Sequence, residues 1–311
     1  MTSTGPLFEI RSSSQNSTEN PFSDATLNDL TGKVTKDDED AIGGGVYADV
    51  FKGRWAAENK EKLVAIKVIR PHVHRGNEIE KLNKRLRKEI RIWAKLTHEN
   101  IVSLYGISSG FGKYPAMISQ WMSQKQLDGY LVQKGDLNLD DRLKICHAII
   151  GGLSYLHSNM GNVLMDGDVA HLTDFGLSNV IADLQGPSFL TSKAGGTARW
   201  TAPEILQTQA DENGKEIPPE LTMACDVYSF GSLAFYVITQ ALPYEHIRNP
   251  NNVIAEIVLK LRTGHDTFPP RPAQSLLTDE CWEILLKCWV LNPTDRPGIR
   301  DVGELLQSVH A

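Results

Sequence analysis

The sequence predicts an α+β chain of two lobes: a small β-rich N-terminal lobe with one main helix, and a larger, mostly helical C-terminal lobe. Three observations carry that expectation. From Leu30 the chain runs through strand-like stretches joined by glycine-rich and polar turns, LTGKVTKDDEDAIGGGVYADVFKG and then KLVAIKVIR. One long helical pattern follows, NEIEKLNKRLRKEIRIWAKL from Asn77. Beyond about residue 123 the apolar spacing turns mostly helical. Strands gathered first and helices gathered afterwards imply two lobes with a cleft between them.

The elements follow in order. Residues 1–27 are rich in Ser, Thr and Asn, a composition that cannot offset the entropy of ordering, so a disordered tail is expected before a domain over 28–311. Its N-lobe covers about 28–122 and its C-lobe about 123–311. In the long helix Ile79, Leu82, Leu86, Ile90 and Trp93 recur at helical spacing, and Asn77 with Glu80 resembles a capping box. The other face carries Lys81, Lys84, Arg85, Lys88, Arg91 and Lys95. Such a run is expected to be a solvated face, with contact to an acidic or phosphorylated partner as the alternative. Strands are expected around IVSLYGIS and AMISQWM, then helices over LDDRLKICHAIIGGLSYLHS, CDVYSFGSLAFYVITQ, NNVIAEIVLKLR, DECWEILLKCWV and RDVGELLQSV. Cys281, Trp282, Cys288 and Trp289 repeat every seven residues, one buried helical face.

Bulk properties exclude some functions. At 311 residues with 41% apolar content the chain can build a proper core. A net charge of -6 gives no reason to expect nucleic-acid or anionic-membrane binding. The cysteines Cys146, Cys225, Cys281 and Cys288 show neither metal-ligand spacing nor disulfide density, which suits a reducing compartment. A cytoplasmic location is expected, with the nucleus as the other choice. The N-terminus lacks the apolar run of a signal peptide, so the sequon at Asn16 is expected to be a chance match. The stretch FGSLAFYVITQALPY from Phe230 is too short to span a bilayer and is expected to be a buried helix.

The chemistry lies in ordered motifs. IGGGVYADV places Ile42, Gly43, Gly45 and Val50 in the pattern G-x-G-x-x-G-x-V, with Ala48 at the third glycine position. Glycines there let backbone N–H groups approach phosphate oxygens, although a hairpin turn uses glycines too. Position strengthens the first alternative, because VAIK follows and ends in Lys67. Glu89 lies about 60° round its helix from Leu86, at the margin of the buried stripe, where a carboxylate can face an ammonium. Glu78 and Glu80 fit first-turn helix charges better. TDFGLS with Asp174, GTARWTAPE with Ala202, Pro203 and Glu204, CDVYSFG with Asp226 and CWVLNPTDRP with Arg296 follow in order.

From about Leu30 to the C-terminus this series resembles the eukaryotic protein kinases, in style the tyrosine-kinase-like group. The resemblance implies a bilobal kinase fold that binds ATP and Mg²⁺ and transfers the γ-phosphate to protein hydroxyls, with serine and threonine favoured. It assigns Lys67 to the α and β phosphates with Glu89 as its partner, and Asn162 and Asp174 to magnesium. Val50, Ala65 and Leu164 would sandwich the adenine ring. Ser119 would be the gatekeeper, and Gln120, Trp121 and Met122 the hinge. Glu204 would pair with Arg296. Ser188, Thr191, Ser192, Thr197 and Thr201 are hydroxyls of the activation segment; Thr191 or Ser192 would be phosphorylated, and Thr197 would make a structural contact. A protein substrate or scaffold partner completes the set, its identity left open.

One part departs from the family. The motif H-R-D-L-x-x-x-N puts the catalytic base five positions before the magnesium asparagine. Five positions before Asn162 stands His157, and YLHSNMG holds no Asp, Arg or Lys, so no base is found. A histidine closing an apolar helix is expected to be structural, and Asp166 and Asp168 to lie in a turn away from the transferred phosphate. Asp226, which in the family bonds the catalytic-loop backbone, is expected to be a buried carboxylate without partners. Three alternatives stand at this point: an impaired, pseudokinase-like nucleotide binder or scaffold; an active kinase whose loop was lost from this sequence at a misplaced intron boundary; and a chain that does not fold stably.

Overall fold

Alternation along the strands decides which way the small-lobe sheet faces. The computed structural model describes residues 27–44, 48–57, 60–70, 90–123, 126–158, 163–166, 169–172, 198–206, 209–210, 216–217, 221–273 and 275–309. The small lobe contains β1 (Val34–Lys36), β2 (Gly43–Gly44), β3 (Ala48–Ala57), β4 (Lys60–Ile69), β5 (Leu104–Ser108) and β6 (Ala116–Gln120). They pair antiparallel in the order β1-β3-β4-β6-β5, with β2 on β3. In β4, Val64, Ile66 and Val68 are buried, while Ala65 and Lys67 between them are only partly so. Successive strand residues face opposite sides, so one strand supplies both core and cleft. Val64, Ile66 and Val68 cluster with Leu30, Val34, Phe51, Ala116 and Ile118.

Residues 90–93 are helical, and Ile90 and Trp93 are buried as their spacing predicts. The Trp93 indole N–H donates to the Val102 carbonyl at 2.7 Å. The earlier part of that predicted helix, Glu89 included, lies outside the described residues.

The large lobe follows with α1 (Leu127–Lys134), α2 (Leu139–His157), the hairpin β7 (Val163–Asp166) and β8 (Val169–Leu172), the short pair β9 (Gln209–Ala210) and β10 (Glu216–Ile217), then α3 (Met223–Thr239), α4 (Pro250–Thr263), α5 (Asp279–Cys288) and α6 (Ile299–Ser308). α2 starts where Asn138 caps it, its side-chain oxygen accepting the Asp141 N–H at 2.9 Å, with Asp140 and Asp141 suited to the positive end of the helix dipole. Leu143, Cys146, Ile150 and Leu153 then supply a buried stripe, and α2 packs against α3, α6 and β8. Arg142 is buried within that stripe because its guanidinium donates to Leu137 O at 2.9 Å and Val237 O at 2.6 Å, tying α2 to α3. α5 is capped by Thr278, whose hydroxyl oxygen accepts the Cys281 N–H at 3.2 Å.

One large apolar cluster holds both Met117 and Met122 of the small-lobe side and the helices of the large lobe. Cys281, Cys288 and Trp289 are buried in it as predicted, Trp282 is partly buried, and all four cysteines are free thiols. Helix α1 was not among the elements expected from the sequence; it is short, and Leu127, Tyr130 and Leu131 at helical spacing pack on the large cluster while Val132 is exposed. Among the described residues no helix is long and apolar enough to cross a membrane.

Candidate functional site

Lys67 occupies the middle of β4, its register partners being Val50 on β3 and Met117 on β6. The alternation that buries Ile66 and Val68 turns Lys67 to the opposite face of the sheet, beside Ala65, whose partners are Lys52 and Ser119. Burial pulls the Lys67 ammonium down from its ordinary 10.5 to about 8. A cation held in so poorly solvated a place is stabilised by an incoming anion such as a phosphate. Val50 and Ala65 are partly buried on the same two strands, as a ring-binding surface requires. Ser119 is buried at the end of β6, and the Gln120 N–H donates to Ser103 O at 3.1 Å before the strand ends. Met122 turns inward to the large cluster.

The glycine-rich stretch begins with the Ile42 N–H donating to Val50 O at 2.9 Å and Gly43 paired with Val50. Of the described glycines in this stretch, Gly44 is the constrained one: its φ is +146°, and a Cβ there would run into the Ala48 carbonyl oxygen. Sequence reasoning chose Gly43 and Gly45 from the spacing and passed over Gly44. Ala48, at the third glycine position, has its methyl in the core. Gly45, Glu89, Asn162 and Asp174 lie outside the described residues, as do Asp168, Ser188, Thr191, Ser192 and Thr197. Leu164 stands in β7 opposite His171 of β8, and β8 packs on α2.

Two long-range pairs fasten the large lobe. Arg296, its side chain fully buried, forks onto Glu204 at 2.6 and 2.9 Å and also donates to Val290 O at 2.8 Å and Ala224 O at 2.9 Å. Burial pushes the Glu204 carboxyl up, but the hydrogen bonds and charge of Arg296 outweigh that and hold it below its ordinary range. The Cys225 thiol donates to the same carboxylate at 3.2 Å. Arg199, just before, was missed by sequence reasoning. It is buried and donates to the carbonyls of Pro243, Tyr244 and Ile247, each at 2.6 Å, which fastens the 198–201 turn to the loop between α3 and α4.

The second pair corrects an expectation. Asp226 is neither buried nor orphaned: its side chain is 51% exposed, and its Oδ2 lies 3.0 Å from Nε2 of His157, the last residue of α2. A half-exposed carboxylate keeps its water, and the imidazole supplies a protein partner, so the feared penalty does not arise. The contact joins α2 to α3. The chain then passes from the end of α2 at His157 to the start of β7 at Val163 through Ser-Asn-Met-Gly-Asn, five residues with no acid among them.

A five-stranded antiparallel path carrying a glycine turn and a poorly solvated lysine, set before a helical lobe with the Glu204–Arg296 fork, defines the protein-kinase class of fold. The comparisons agree. The family model of the protein tyrosine and serine/threonine kinases matches residues 37–306, and the chain belongs to that family. It is 28% identical over 280 residues to the serine/threonine-protein kinase STY46 of Arabidopsis thaliana, covering 86% of this chain and 43% of that protein. It is 27% identical over 277 residues to the serine/threonine/tyrosine-protein kinase HT1 of the same plant, covering 85% of this chain and 63% of that one. With receptor-interacting serine/threonine-protein kinase 3 of Rattus norvegicus it shares 27% over 286 residues, 86% of this chain and 55% of that one. The chain thus spans about half the length of the relatives it matches.

Proposed function

We propose that this chain binds ATP and Mg²⁺ as its family does, that its own phosphoryl transfer is severely impaired, and that it works in signalling as a nucleotide-binding scaffold. The observation that carries the proposal is the acid-free, five-residue passage from His157 to Val163. In phosphoryl transfer to an alcohol the enzyme orients the hydroxyl and accepts its proton, and a general base is worth about 10² to 10⁴ in rate. Asp226, the carboxylate that meets the end of α2, is engaged by His157. Nucleotide binding is the more durable function, because it draws on other elements. The Gly44 turn keeps its shape only while it lacks a Cβ, which would strike the Ala48 carbonyl, and the Lys67 ammonium gains from a phosphate beside it. Asn162 and Asp174 would hold the metal, which when bound offsets phosphate charge, while Val50 and Ala65 supply an apolar seat for the base. Any protein accepting the phosphoryl group would present serine or threonine, in the cytoplasm or nucleus.

The test uses the full chain. A thermal-shift titration with ATP and Mg²⁺ should stabilise the wild type and not the Lys67→Ala variant, and labelled ATP should give transfer at least a hundredfold below an active relative assayed beside it. Brisk transfer that Lys67→Ala abolishes would overturn the proposal. A second reading is favoured by the flanks, since YLHS before the gap and NVLMDGDVAHLTDFG after it are both intact family sequence. On that reading an active kinase has lost its loop from this sequence. Sequencing the transcript across codons 155 to 165 decides it: extra codons encoding an H-x-D-x-K segment would restore an active enzyme.

A further inference from the structure

Ahead of β1 the chain does something that neither the family match nor the nucleotide site requires. Residues 28–31 lie along the outer edge of β5 as a short parallel arm, with Asp29 bridged to Ile107. The Ile107 N–H donates to Asn28 O at 3.0 Å and the Leu30 N–H to Ile107 O at 2.8 Å. The Asn28 side-chain amide donates to Tyr105 O at 3.1 Å. β5 is shaped for this guest: Gly106 has φ +158°, and a Cβ there would strike the Asn28 carbonyl oxygen. Leu30 is 3% exposed and sits in the small-lobe cluster against Val64 and Ile66, the strand whose other face carries Lys67. The arm therefore closes an open sheet edge and plugs the core behind the lysine.

The clasp of the arm is the hydroxyl of Thr31. It accepts the Ser109 N–H at the end of β5 at 3.0 Å and donates to Asp29 Oδ1 at 2.5 Å, the oxygen that also takes the Thr31 N–H at 2.9 Å. Thr31 is exposed, in a turn closed by the Lys33 N–H on Leu30 O at 2.9 Å. A reactive hydroxyl is thus both reachable and the point where arm, edge strand and a carboxylate meet.

We propose that Thr31 is a phosphorylation site and that its phosphorylation releases the arm from the small lobe. A protein kinase acting on the chain with ATP would form the P–O bond at Thr31 Oγ1 as the bond to ADP breaks, the hydroxyl proton passing to that enzyme's base. Oγ1 then has no proton for Asp29, and a group of about −1.5 to −2 charges stands against the carboxylate it used to bond. Lys33, in the same turn, is exposed to solvent, where its charge is screened. Repulsion frees the Asn28–Thr31 backbone from Ile107, and Leu30 leaves the core behind β4. The release of the arm does not rest on the function proposed above.

The experiment uses the full chain. Chain purified from eukaryotic cells under phosphatase inhibition should yield a tryptic peptide phosphorylated at Thr31. Hydrogen exchange at the Leu30 and Ile107 amides should quicken at least tenfold in Thr31→Glu. It should return to within threefold of wild type when Asp29→Asn is added, and rise far less in Thr31→Val, which removes the hydroxyl without adding charge. No phosphate at Thr31, unchanged exchange in Thr31→Glu, failure of Asp29→Asn to restore it, or equal exchange in Thr31→Val would each overturn the proposal. Loss of the ATP-induced thermal shift in wild type would instead strike the nucleotide-binding function, with the exchange measurements still deciding the arm.

Discussion

Replacing Arg296 by methionine should cost this protein about 3 kcal/mol or more of stability. Methionine keeps much of the apolar stem, so packing changes little and the loss is electrostatic. What disappears is a two-pronged bond to Glu204 at 2.6 and 2.9 Å, with further bonds to Val290, Ala224 and Leu291 carbonyls at 2.8, 2.9 and 3.4 Å. The guanidinium also lies 5.1 Å from the centre of the Tyr228 ring. Removing one partner of a buried pair leaves the other charge uncompensated, typically at about 3 to 5 kcal/mol. The Glu204 side chain is 26% exposed and can recover some hydration, which sets the lower end of that range. Against a total of about 5 to 15 kcal/mol, such a loss shifts the folded-to-unfolded ratio more than a hundredfold.

Equilibrium urea unfolding of wild type, Arg296→Met, Glu204→Gln and the double variant measures the loss and isolates the coupling. The pH dependence has a definite sign. The folded Glu204 carboxyl titrates below its ordinary 4.5, so its contribution is fully present above that value and is lost as pH falls through the folded one. The stability of Arg296→Met should therefore decline less on acidification than that of wild type. A loss below about 1 kcal/mol, or a coupling near zero, would refute the reasoning, because a desolvated pair cannot be cut so cheaply.

Two further outcomes are expected. Asp226→Asn and His157→Ala should each lower stability by only about 0.5 to 1.5 kcal/mol, because the carboxylate is half exposed and water replaces its partner; thermal melts showing several times that would mean Asp226 is desolvated in solution. Since Lys67 loses its charge near pH 8, ATP affinity should weaken as pH rises from about 7 to 9, and this slope should flatten in Lys67→Arg, whose guanidinium stays protonated. Calorimetric titration across that range checks it, and identical slopes in the two proteins would remove Lys67 as the cause.

The sequence by itself determined the two-lobed order of strands and helices, the strand that carries Lys67, the buried face of Cys281, Cys288 and Trp289, and the Glu204–Arg296 pairing. Each is written in a local period or a short motif, or comes with the family resemblance those motifs establish. It showed the acid-free passage after His157 for the same reason, since five consecutive residues suffice to display it. Only the tertiary structure decided that Asp226 stays wet beside His157, that Arg199 fastens the turn at 198–201, that Gly44 has no room for a Cβ, and that residues 28–31 dock on β5. These depend on partners 69 positions apart for His157 and Asp226, 45 for Arg199 and Tyr244, and 78 for Thr31 and Ser109. Hydrogen bonds and burial are set by distance in space, and a single chain's local pattern carries no record of which remote group folding will bring within 3 Å.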